Sequence, residues 1–105
     1  MATTTAKTLF RGAATTTTST TLYTTPATGT AIVTNIVVTN TGGSAYTFTI
    51  ALDGTSLFTT TAIAANSTAF FDLKSTIVAT GSTKTITGGA SNTAVNFHIS
   101  GVEIV

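Results

Sequence analysis

Thirty of the 105 residues are threonine, and only 7% are charged. A β-branched side chain is stiff at χ1 and packs well on a pleated strand, and the threonine hydroxyl wets an exposed face without a charge. Such a chain is confined to β-structure. It is also unusually neutral. Soluble domains carry about a quarter charged residues, whereas this chain has three Lys, one Arg, two Asp and one Glu. Its surface neither repels neighbours nor selects partners by long-range charge, which suits a subunit packed against other subunits.

Turn chemistry punctuates the strand pattern about every 8–12 residues, the spacing of an antiparallel sandwich or barrel. Ala45 to Leu52 alternates cleanly, with Tyr46, Phe48, Ile50 and Leu52 on one face. The following Asp53-Gly54 pair signals a tight hairpin. Thr30 to Thr39 is apolar on both sides, which places Ile32, Ile36 and Val38 inward and Val33 and Val37 on an outer face covered by something else. In the last strand Val95, Phe97 and Ile99 share a face with Tyr46, Phe48, Ile50 and Leu52 opposite them. Val102 and Ile104 fall on the other parity, and a bulge at Gly101 would let both groups reach one core. The separate strands expected late in the chain are Ala69–Leu73, Ile77–Ala79, Lys84–Thr87 and Ala94–Val105. The fold class expected is all-β: an antiparallel, jelly-roll-like β-sandwich of eight or nine short strands.

Two divisions follow. Met1 to Thr18 reads as an extended N-terminal arm with one strand-forming patch, in which Lys7 and Arg11 flank the apolar Leu9 and Phe10. Residues 19–105 read as a single sandwich domain, large enough to bury about 65% of its unfolded surface. The arm patch is expected to add a strand to a neighbour's sheet edge, and Val33 and Val37 to form a second interaction surface.

The chemistry-bearing residues are sparse. There is one histidine (His98), no cysteine and three scattered acids: Asp53, Asp72 and Glu103. Asp53 is explained by its turn, Asp72 is expected to pair with Lys74, and Glu103 has no local partner. No nucleotide loop or nucleophile motif occurs, and general acid–base work needs a cluster of titratable groups. The expectation is a non-enzyme with no cofactor and no metal. With a net charge of +1, no nucleic-acid partner is expected. No apolar run nears the ~20 residues of a membrane span, and residues 1–12 lack the apolar core of a secretory signal. Thr-x-Thr triplets at Thr47/Thr49 and Thr83/Thr85/Thr87 serve as the exposed half of alternating strands rather than as an ice-binding ladder.

The segment from Thr20 to Phe58 resembles small virion proteins of tailed bacteriophages. It carries their pattern in Leu22, Tyr23, Thr24, Pro26, Ala27, Ala31, Val33, Ile36, Val38 and Asn40, then in Gly54, Thr55, Leu57 and Phe58. The later IAANST and the terminal VNFHISGVEIV match the close of such proteins. The resemblance spans residues 20–105 and its motifs are structural, made of turns and core positions. It implies a virion protein assembled in the host cytoplasm, foremost a capsid decoration or cement protein. Such a protein would form a homotrimer over capsomer junctions and contact the major capsid protein or other virion proteins. A tail, neck or fibre component and a carbohydrate-binding adhesin-like module are the alternatives.

Overall fold

The computed structural model describes residues 3–105. Met1 and Ala2, part of the expected arm, lie outside the described residues. Eight strands follow in order: β1 (Thr4–Ala13), β2 (Thr21–Thr24), β3 (Thr28–Asn40), β4 (Tyr46–Leu52), β5 (Thr55–Ile63), β6 (Ser67–Thr80), β7 (Thr85–Ala90) and β8 (Val95–Ile104). Their pairing has one rule. β4 pairs with β5, β3 with β6, β2 with β7 and β1 with β8, all antiparallel. The chain is thus one long ribbon folded back at the β4–β5 turn. Rolling that ribbon brings β8 against β3 and β7 against β4. Two four-stranded sheets result, ordered β1-β8-β3-β6 and β2-β7-β4-β5. This is the jelly roll expected from the turn spacing.

The hairpin at the ribbon's tip is where Asp53-Gly54 places it. Both residues have positive φ, 51° and 77°, as a two-residue turn matching the strand twist requires. The two short strands expected over Ala69–Leu73 and Ile77–Ala79 are instead one 14-residue strand, β6. Lys74-Ser75-Thr76 holds no Gly, Pro, Asn or Asp to break the strand, and the 13-residue β3 supplies a partner along the whole length.

The arm reading is corrected for the described residues. Thr4–Ala13 is the edge strand of the first sheet, paired with β8 from Thr4↔Ile104 to Ala13↔Asn96. After it, the Thr-rich stretch crosses to the second sheet, with Ala14 buried. The amide of Ala90 donates to Thr15 O and that of Gly88 to Thr20 O. Gly89 lets that backbone pass, because a Cβ there would run into the Thr17 carbonyl.

A bulge at Thr34 sets the facing of β3. Against the regular β8, Val33 pairs with Gly101 and Asn35 with Ser100, so β3 carries one extra residue. Parity flips there, and Ala31, Val33, Ile36, Val38 and Asn40 all point into the core. Val33 is completely buried, so its assignment to the outer face is wrong for a physical reason: strict alternation fails across a bulge. Val37 does face outward, joined by Ile32 rather than Val33.

The core joins both sheets through aromatic rings. Phe48 of β4 meets Phe97 of β8 edge-on at 6.1 Å and Phe58 of β5 at 5.3 Å, while Phe58 lies 4.5 Å from Phe71 of β6. Phe48, Ile50, Val95, Phe97 and Ile99 are buried, with Tyr46 and Leu52 packed at the margin. The expected facing of these two strands holds. Asn40 and Thr25 are the buried polar side chains among the described residues, and Asn40 is the deeper. Completely buried, it donates through Nδ2 to the carbonyls of Ser44, Ile63 and Ala64, and its Oδ1 accepts from the Gly42 amide. One side chain thereby fastens the β3–β4 turn to the β5–β6 crossover.

All four edge strands carry bulges of their own: Leu9 on β1, Leu22 on β2, two positions on β5, and Leu73-Lys74 on β6, where two residues face the single Thr34 of β3. Bulged edges twist away from incoming strands and discourage edge-to-edge pairing. At one β5 bulge Thr60 has φ 46°, a conformation in which a β-branched residue is an outlier. Its amide donates to Thr49 Oγ1, and its own side chain is exposed. Thr60→Gly is therefore expected to raise stability by about 0.5–1 kcal/mol through relief of the left-handed strain. The gain would appear as a higher urea midpoint at unchanged slope; a lower midpoint would contradict the strain.

Candidate functional site

The outer face of the first sheet is the surface with the most unusual composition. Register assigns its side chains to transverse rungs, read from β1 through β8 and β3 to β6. At one end lies Ala13–Asn96–Thr39–Thr68, followed by Arg11–His98–Val37–Phe70. The middle rung is Thr8–Ser100–Asn35–Asp72. Beyond it come Ala6–Val102–Ile32–Thr76 and Thr4–Ile104–Thr30–Val78. Phe70 is 72% exposed and Val78 53%, and Ile32, Val37, Val102 and Ile104 are half-covered by their neighbours. Large apolar side chains in such number on one open face are unusual for a surface left to solvent.

Charge on this face is confined to its two edges. Arg11 stands on β1, directly opposite His98 on β8. Asp72 and Lys74 stand on β6. Asp72 does not pair with Lys74 as expected; it accepts a hydrogen bond from Asn35 Nδ2 at 3.2 Å. A shallow hollow lined by Thr34, Asp72, Leu73 and Lys74 opens beside the β3 bulge.

The remaining residues of the expected arm patch are split by the β1 bulge. Leu9 is buried in the core at 7% exposure, and Phe10 packs half-buried against it. Lys7 sits across from Gly101 and reaches Glu103 at 3.5 Å. Only Arg11 stays on the outer face. The four residues do not make one patch.

Glu103 has two partners that are remote in sequence. Besides Lys7 it accepts a short hydrogen bond from the Tyr23 hydroxyl, which comes from β2 in the opposite sheet. This trio closes one end of the sandwich. Burial raises the Tyr23 phenol above its ordinary value, and the hydrogen bond to Glu103 and that group's negative charge push it further the same way. The folded chain therefore holds the phenolic proton more tightly than the unfolded chain, which releases it near pH 10. The stability linked to this proton is fully present below pH 10 and is lost as pH rises above it. The urea midpoint of the wild-type protein should drop more between pH 9 and pH 11 than that of Tyr23→Phe. Equal drops would show that this proton is not linked to folding.

The outward members Ile32, Phe70, Val78, Val102 and Ile104 were not singled out from the sequence as surface residues. For Val102 and Ile104 the signal was present. β8 keeps regular pairing through Gly101, so plain alternation from His98 and Ser100 leads directly to an outward Val102 and Ile104. The bulges lie on β1 and β3 instead.

No protein-family model matches the chain, and no curated protein matches it in sequence. Six chains of solved structures match its fold. One comes from the structure of infectious bursal disease virus, Gx strain. It is 11% identical with a TM-score of 0.56, and the match covers 99% of this chain and 32% of that one. This chain thus spans about a third of that chain's length. At such identity the likeness is one of fold: the rolled eight-stranded sandwich recurs within a chain from a virus structure.

Proposed function

We propose that this protein is a structural component of a virus particle, specifically a bacteriophage capsid decoration or cement protein that reinforces the shell by binding over capsomer junctions. The observation that carries the reading is the rolled-ribbon strand order, β1-β8-β3-β6 against β2-β7-β4-β5, whose likeness includes a chain from a virus structure. The near-neutral, threonine-rich surface supports it. Close packing of many copies favours uncharged groups that hydrogen-bond without long-range repulsion. The Thr20–Phe58 resemblance favours a tailed phage as the virus.

The protein acts by shape rather than by catalysis. Each acid already has a structural engagement: Asp53 in a turn with Lys84 at 3.9 Å, Asp72 with Asn35, and Glu103 with Lys7 and Tyr23. Partners on this reading are other virion proteins, foremost the major capsid protein, and repetition around a three-fold axis is one arrangement that would serve a capsomer junction.

Adding purified protein to shells that lack it tests the role. A cement protein co-sediments with them to a saturating stoichiometry and raises the temperature at which they release their contents. Saturable binding without a gain in shell stability would reduce the role to decoration. Absence of binding to shells would remove the role altogether.

A further inference from the structure

We propose that the outer face of the first sheet pairs with the same face of a second copy about a two-fold axis parallel to the strands. This goes beyond the shell role and does not depend on it. Three observations support a second copy as the occupant. The first is area. Four strands at about 4.8 Å spacing and some ten residues at about 3.3 Å rise present roughly 600 Å² of face. Two such faces together bury about 1,200 Å², the lower bound of stable specific interfaces. The second is the state of the edges: bulges on β1, β2, β5 and β6 discourage association by strand addition, which leaves faces as the means of contact.

The third is charge complementarity, and it selects the axis. Arg11 lies on the β1 edge, and Asp72 one rung away on the β6 edge. A two-fold parallel to the strands lays the β1 edge of each copy over the β6 edge of the other. Arg11 then faces the partner's Phe70, within a rung of the partner's Asp72, where a guanidinium gains both a ring face and an opposite charge. The same operation puts Val102 over the partner's Ile32 and His98 over the partner's Val37. A two-fold perpendicular to the strands through the middle rung would instead set Asp72 against the partner's Asp72. An isologous contact of this kind closes as a pair, and the two sheets can align at the ~30° that their twist permits.

Sedimentation equilibrium of the full chain tests the pairing without any particle, so its failure and the failure of the shell reading are separate results. The wild-type protein should be a dimer. Phe70→Asp, at a side chain 72% exposed, should leave the circular dichroism unchanged and weaken the dimer roughly 30-fold or more, since it removes an aromatic contact and sets a buried carboxylate in its place. Val78→Asp, at the far end of the same face, should weaken it as well. Arg11→Asp and Asp72→Arg should each weaken pairing several-fold, and the double reversal should restore it, since each copy then presents the inverted pair. A wild-type monomer at the highest concentration, or an oligomer indifferent to Phe70→Asp and Val78→Asp, would overturn the pairing. A double reversal no better than the single ones would overturn the axis.

Discussion

Replacing Phe97 with alanine is expected to destabilise the domain by about 3–5 kcal/mol, and Phe48→Ala by a similar amount. Both rings are buried, at 0% and 1% exposure, and they meet edge-on at 6.1 Å across the two sheets. Truncation removes the transfer free energy of the ring and leaves a cavity that neighbours on two rigid sheets cannot close. Phe58 and Phe71 stack behind Phe48, at centroid distances of 5.3 and 6.2 Å, so its loss also exposes two further rings to a void. A domain of this size has about 5–15 kcal/mol in total, and either variant should unfold at a much lower urea concentration. Because the two rings touch, the double variant should cost less than the sum of the single ones. A loss under about 1 kcal/mol at both sites would mean that the sheets do not close through these residues.

Gly101→Ala is the second large effect, expected at about 3 kcal/mol or more because the clash is with backbone rather than with a side chain that can turn away. Gly101 is buried at the centre of the first sheet, between β1 and β3. A Cβ there would lie far inside contact distance of the Ile32 carbonyl oxygen, with Leu9 Cδ1 only 3.0 Å away. The bulge at Thr34 falls between the partners of Gly101 and Ser100 and the one at Leu9 between those of Ser100 and Ile99, so both lie beside the point where β8 has no side chain. Chemical denaturation of Gly101→Ala should show a reduced midpoint. Denaturation unchanged from wild type would contradict the close approach of the Ile32 carbonyl to Gly101.

Gly101 also shows how far the sequence could be read. Its status as the irregular point of the last strand was legible, but the irregularity belongs to the strands on either side, and no local signal says which partner a glycine accommodates. The bulge in β3 was written into the chain more plainly. Ala31, Val33, Ile36, Val38 and Asn40 are the fully buried positions of that strand, and the three-residue step from Val33 to Ile36 is what an extra residue leaves in a period of two. The virion-protein pattern contains the same step, whereas strict alternation misassigned Val33. The Asp53-Gly54 turn and the pairing of the Phe48 and Phe97 faces followed from alternation and turn chemistry, which are local, whereas the strand number agrees only because β6, expected as two strands, offsets β1, expected as an arm.

What alternation could not supply was the use made of residues remote in sequence. Glu103 finds Lys7 and Tyr23 only after the ribbon has rolled, at separations of 96 and 80 residues. Thr4–Ala13, with mostly exposed side chains, has too little apolar periodicity to announce itself as a strand over its whole length. It is held by main-chain pairing with β8, which leaves little trace in side-chain hydrophobicity. The outer face emerged last because Phe70 and Val78 look like core residues until register assigns their side.

Electron microscopy of intact particles, with this protein located by a bound antibody fragment, tests the shell role in its assembled setting. A cement protein gives density repeated over the shell with the shell's own symmetry, at the junctions between capsomers. Density confined to the tail or neck, or particles that carry none of the protein, would contradict it.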